Sequence, residues 1–96
     1  MEREIVKSTE KELLELWDNL YHEGNTAELY GETYKHIQKI NMSEFSDGPS
    51  WDYILERESD GKFFKLHVWD AGDHNGYLIQ SEYLEEVYET TAVTYE

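Results

Sequence analysis

Residues 51–58 and 62–69 are two runs rich in aromatic and β-branched side chains, separated only by Ser59-Asp60-Gly61. Asp-Gly in that setting predicts a β-hairpin, because a type I′ turn needs positive φ at both central residues. An antiparallel sheet in the second half of the chain follows. With Asp60-Gly61 as a two-residue loop, Arg57 faces Phe64, Leu55 faces Leu66, Tyr53 faces Val68 and Trp51 faces Asp70. This face is mostly apolar and is expected against a helix. The other face pairs Glu58 with Phe63, Glu56 with Lys65, Ile54 with His67 and Asp52 with Trp69. A slip of one residue would put Glu56 and Glu58 in the core, so the register is constrained. Ile54, Phe63 and Trp69 leave an apolar group on the second face, suited to a partner if nothing covers it.

The first half reads as helical. Thr9 and Glu12 have the form of a capping box. Leu13, Leu14, Leu16, Trp17, Leu20 and Tyr21 then recur at helical spacing. Gly24 stands where a left-handed residue ends a helix, which places the helix at about residues 9–23. Residues 26–42 admit two readings. Thr26 as N-cap with Tyr30, Tyr34 and Ile37 near one face favours a second helix, against which Gly31 and Thr33 count. A strand through 34–42 is the alternative. Ser46-Asp47-Gly48-Pro49-Ser50 divides the helical half from the strands.

After the hairpin, residues 70–76 read as a loop and Tyr77-Leu78-Ile79 as the start of a third strand. Residues 82–88 are a short helical turn or extended chain, and residues 90–95 a final strand. The expected fold is α+β in one domain: one or two N-terminal helices, within about residues 8–42, packed on one face of a three- or four-stranded antiparallel sheet formed from about residues 50–96.

Charge narrows the function. The chain has 22 acidic and 8 basic residues, a formal net charge of −14. All the bases precede residue 66, and beyond it stand Asp70, Asp73, Glu82, Glu85, Glu86, Glu89 and Glu96. A field of one sign repels nucleic acid and anionic membrane and attracts basic proteins. Solubility alone is the competing explanation for the total charge. There is no cysteine, which excludes disulfides and thiol chemistry and fits a reducing compartment. No apolar run reaches membrane-spanning length, and Met1-Glu2-Arg3-Glu4 lacks the layout of a signal peptide; the expected location is the cytoplasm.

Chemistry is poorly signalled. Asp70, Asp73, His67 and His74 are the nearest approach to a metal set, but the loop fails the calcium pattern: counting from Asp70, the required places hold Gly72, His74, Asn75 and Ser81. Turn geometry accounts for the same residues. No serine has a nucleophile-elbow setting and there is no phosphate-binding glycine loop. The expectation is a protein without cofactor, metal or catalytic residues.

The carboxylates act better as a set. Acids two apart on a strand repeat at about 6.8 Å, about two base-pair rises of DNA. Asp70, Asp73, Glu82, Glu85, Glu86 and Glu89, with Tyr77, Tyr83 and Tyr88 as apolar anchors, form the expected partner-binding site. In size, charge and aromatic content the chain is similar to small acidic inhibitors: phage anti-restriction and anti-CRISPR proteins that mimic DNA, and bacterial immunity proteins. No motif carries that similarity to particular residues. The expected function is inhibition of a basic nucleic-acid-binding protein or nuclease. The alternative is an adaptor or homodimer joined through Ile54, Phe63 and Trp69.

Overall fold

A computed structural model of the protein describes residues 3–22, 24–45, 48–70, 77–79 and 81–88. Strand β1 (Ile5–Lys7) leads into helix α1 (Glu10–His22). Strands β2 (Thr26–Leu29), β3 (Glu32–Phe45), β4 (Gly48–Arg57), β5 (Phe63–Asp70), β6 (Tyr77–Leu78) and β7 (Tyr83–Val87) follow. They form one curled antiparallel sheet in the order β1-β7-β5-β4-β3-β2, with β6 also paired to β5.

This corrects the expected architecture. There is one helix among the described residues, and the sheet has more than the three or four strands expected. The helical part ends at His22, and residues 26–42 lie in β2 and β3. The physical reason lies at Tyr30-Gly31. Leu29 pairs with Glu32 across these two residues, whose φ angles are 52° and 79°. Positive φ at both centres is the type I′ condition, so the glycine that weakened a helix instead closes a hairpin. Residues 83–87 are likewise a strand, which removes the helical-turn reading of that segment.

The helix forms as its sequence predicts. The Glu12 backbone N–H donates to Thr9 Oγ1 at 3.1 Å, and the Thr9 hydroxyl donates to the Glu12 carboxylate at 3.3 Å. At the other end Gly24 has φ 89°, and the Asn25 N–H donates to the Leu20 carbonyl at 3.2 Å, closing the chain as a Schellman motif does.

The hairpin between β4 and β5 has the expected faces but a register shifted by two. Leu55 pairs with Phe64, Tyr53 with Leu66, Trp51 with Val68, Glu56 with Phe63, Ile54 with Lys65 and Asp52 with His67. The Arg57 N–H donates to the Lys62 carbonyl and the Gly61 N–H to the Arg57 carbonyl. Glu58, Ser59, Asp60 and Gly61 therefore make a four-residue loop, with Gly61 alone of them at positive φ. A shift of two residues preserves the side-chain alternation, so Trp51, Leu55, Phe64, Leu66 and Val68 still meet Leu13, Leu16, Trp17 and Leu20 of α1 in the main core. The expected Glu56–Lys65 match does not form; Lys65 pairs with Glu85 at 3.6 Å.

The opposite face has its own small cluster. Ile54 and Val87 are buried there, with Ile40 and Phe63 packed on them. Strand β3 is far longer than its outer neighbour: β2 pairs only with residues 32–35. Beyond His36 the outer side of β3 has no strand partner among the described residues, and the β3–β4 register shifts between His36 and Gln38 and between Ile40 and Ser43.

Candidate functional site

Curling of the sheet leaves one end of α1 standing over strands it does not fully cover. The gap is a cleft of about 260 Å³ lined by Trp17, Leu20, Tyr21, Asn25, His36 and Tyr53. The helix supplies Trp17 and Tyr21 because residues four apart share a flank; their rings stack at 5.3 Å. The sheet supplies His36 and Tyr53, whose rings meet edge to face at 4.6 Å. Trp17 and Tyr53 join the two layers at 6.2 Å. Tyr21 is 62 % exposed and Trp17 is buried, so the cleft runs from open water to the core.

His36 and Asn25 bring polar side chains to this cleft. Burial pushes the His36 pKa down from the usual 6.5, so the ring is held neutral. Its Nε2 is buried without a hydrogen-bond partner, while the ring hydrogen-bonds to the backbone of Gln38. Beside the cleft, Leu14, Glu15, Trp17 and Asp18 line a shallow groove that shares the indole of Trp17. Asp18 lies 3.3 Å from His22 on the same helix.

A second polar group occupies the other side of the sheet. His67 Nδ1 is 2.8 Å from Asp52 Oδ1, and Asn41 Nδ2 donates to Asp52 Oδ2 at 2.9 Å. Asn41 reaches Asp52 from a bulge, at φ 55°. The aromatic cleft lies across the sheet from this pair. Among the described residues no three acids or histidines gather as a metal site.

The bases are largely engaged inside the fold. Arg57 forks onto Glu4 at 2.7 and 2.8 Å and onto Asp60 at 2.7 and 3.1 Å, and Lys62 reaches Glu4 at 3.1 Å. Those bonds hold the carboxyls of Glu4 and Asp60 down at about 2. Lys39 lies over the Trp51 ring at 4.6 Å and Arg3 over the Tyr88 ring at 5.4 Å. Lys65 is paired with Glu85. Lys7, Lys11 and Lys35 remain. Among the described residues Glu10, Glu15, Glu28, Glu32, Glu56, Glu58 and Glu82 have no ion-pair partner.

Among the described residues, those expected to bind a partner divide between surface and interior. Glu85 and Glu86 are neighbours on β7 and so point to opposite faces. Glu85 is half-buried beside Lys65. Glu86 is buried and accepts the Glu4 backbone N–H at 2.9 Å. Glu82 and Tyr83 are exposed, and Tyr88 lies under Arg3. Asp70 ends β5 opposite Tyr77 of β6. Asp73 and Glu89 lie outside the described residues, as do His74 and the expected strand at residues 90–95. Of the alternative interface, Ile54 is wholly buried and Phe63 packs beside it, while Trp69 is half-buried opposite Ser50.

The aromatic cleft was not anticipated. Trp17 and Tyr21 were visible as one helix flank, but His36 and Tyr53 join them only once residues 34–42 are a strand. Comparison with protein-family models, with curated proteins and with solved structures yields no match to this chain. No helix among the described residues is long and apolar enough to cross a membrane.

Proposed function

We infer that the protein is a non-catalytic inhibitor that binds a basic nucleic-acid-binding protein and occupies the surface on which that partner holds DNA or RNA. One observation carries this reading. Arg3, Lys39, Arg57, Lys62 and Lys65 are engaged within the fold, whereas unpaired carboxylates face water on α1, on β2, at the β4–β5 turn and before β7. Among the described residues the unpaired acids of this chain, which carries 22 acids and 8 bases, are therefore mostly turned outward. Such a surface speeds encounter with a cationic groove.

The contact surface differs from the one the sequence suggested. Glu86 supports β1 from inside, so the acids best placed for a partner are Glu15 and Asp18 on α1 and the exposed Glu82. Charge reversal at these three tests the reading without disturbing the core. A partner captured by the native protein should be displaced by duplex DNA and released as salt rises through about 0.1–0.2 M, where screening shortens to roughly 10 Å or less. The E15K/D18K/E82K protein should capture much less of it. Capture that ignores salt, competing DNA and the triple reversal would overturn the proposal.

A further inference from the structure

Asn41 interrupts β3 in the stretch of that strand that has no outer strand neighbour among the described residues. Ile40 pairs with Asp52 and Ser43 with Ser50, so Asn41 and Met42 together stand opposite Trp51 alone. That is one residue more than regular pairing allows, which makes the stretch a β-bulge. Asn41 takes up the excess in the left-handed conformation, at φ 55°. Asparagine tolerates that conformation better than most residues but does not favour it over extended chain. A contact outside its own backbone must hold it there.

Asp52 makes that contact. It is 7 % exposed and stands on β4, between β3 and β5. A buried carboxylate is stable only with partners for its oxygens. Oδ2 accepts from Asn41 Nδ2 at 2.9 Å, and Oδ1 lies 2.8 Å from His67 Nδ1. His67 is the residue paired with Asp52 across β4 and β5. One oxygen is thus fixed from β5 while the other is presented to the bulge on β3. A hydrogen bond to an ionised acceptor is about twice as strong as a neutral one, so it can outweigh the preference of Asn41 for extended chain.

The same stretch of β3 exposes Ile37 and Met42. A long strand edge with exposed apolar side chains invites a second strand, and a bulge turns its N–H and C=O groups out of line. We propose that Asp52 acts as a catch: by holding Asn41 in the bulge, it bars a second copy of this chain from pairing with β3. Asp52 is here a positioning residue, acting through Asn41. The inference is independent of the inhibitor reading, whose acids lie on α1 and before β7.

Sedimentation reads the mass of the protein in about 0.5 M sodium chloride, where repulsion between copies is screened within a few ångströms. NMR reads the backbone of Asn41. The native protein should be a monomer, and Asn41 should show the strong contact between its own amide and α protons that positive φ brings. Asp52→Leu removes the acceptor and leaves an apolar side chain of moderately larger size. It should lose that contact and double in mass as concentration rises, with new amide protection confined to β3. Asp52→Asn keeps an oxygen for Asn41 and should stay a monomer with the contact intact. Deleting Met42 removes the extra residue and should give the dimer with Asp52 still in place; it decides the matter if Asp52→Leu does not fold. A native dimer, a native Asn41 without positive φ, or folded Asp52→Leu and Met42-deleted proteins that stay monomeric would each overturn the inference.

Discussion

The guanidinium of Arg57 is forked between Glu4 and Asp60 over the ring of Phe64, with its side chain 11 % exposed. Each nitrogen meets a carboxylate oxygen in the fork geometry that only arginine offers. Three parts of the chain therefore converge on one side chain: the segment before β1, the end of β4 and the turn that follows. Removing the cation leaves Asp60 without its guanidinium and Glu4 with Lys62 alone, each carboxylate roughly one-third exposed. Arg57→Met should cost about 2–3 kcal/mol in denaturant unfolding, less than a fully buried pair because water reaches the carboxylates. The same variant has an acid signature. Glu4 and Asp60 are lowered from 4.5 and 3.8 to about 2 in the folded protein, chiefly by hydrogen bonds from Arg57. Depressed folded values stabilise above the unfolded pKa, and that stability is lost as pH falls toward 2. The native protein should thus lose stability between about pH 4.5 and 2, and Arg57→Met should show a flatter slope there. Equal slopes would remove the pair as the cause.

Among the elements, the β2–β3 hairpin turned a helix expectation into sheet. Its turn needs Tyr30 and Gly31 at positive φ. Space around Gly31 is open, so a larger side chain there meets backbone strain and nothing else. Gly31→Val should destabilise by about 1–2 kcal/mol, the cost of a left-handed L-residue, with loss of amide protection concentrated in β2. Protection lost evenly over the sheet would show that this hairpin is not an independent local unit. The same turn explains what the sequence could convey. Helix α1, its capping box, its glycine stop and both faces of the β4–β5 hairpin were legible, since each depends on neighbours within a few residues. The register was not: loop length sets it, and Asp60-Gly61 serves as the end of a four-residue loop. Residues 26–42 misled because Thr26, Tyr30, Tyr34 and Ile37 fit a helical spacing while the deciding fact is pairing with β4, a tertiary effect that overrides local preference. Glu85 and Glu86 of the expected partner surface separate for a related reason. Assigned to a helical face, Glu85 and Glu86 would lie together; on a strand they part.

For the molecule as a whole, a charge of −14 on 96 residues opposes compactness through self-repulsion. The Arg57 cluster relieves that repulsion only locally. Thermal midpoints should therefore rise between about 0.02 and 0.5 M sodium chloride, as screening shortens from tens of ångströms to a few. A falling midpoint would mean that the internal ion pairs outweigh the repulsion. The curled sheet also explains why so small a chain holds a cleft at all: one helix cannot fill the hollow it is packed in. Charge composition is legible in the sequence, but the cleft depends on four rings from three elements, α1, β3 and β4, a juxtaposition that no local spacing records.

Among the described residues strand β3 runs on past its outer neighbour without a further strand beside it, and that excess length has a colloidal consequence. A bare strand margin is ordinarily a template on which further chains assemble into fibrils. Here each bulge, at Ile37 and at Asn41-Met42, breaks the even spacing that an incoming strand must match. Copies of this protein should therefore remain dispersed even when crowded, held apart by like charge and by the uneven ladder each would offer the other.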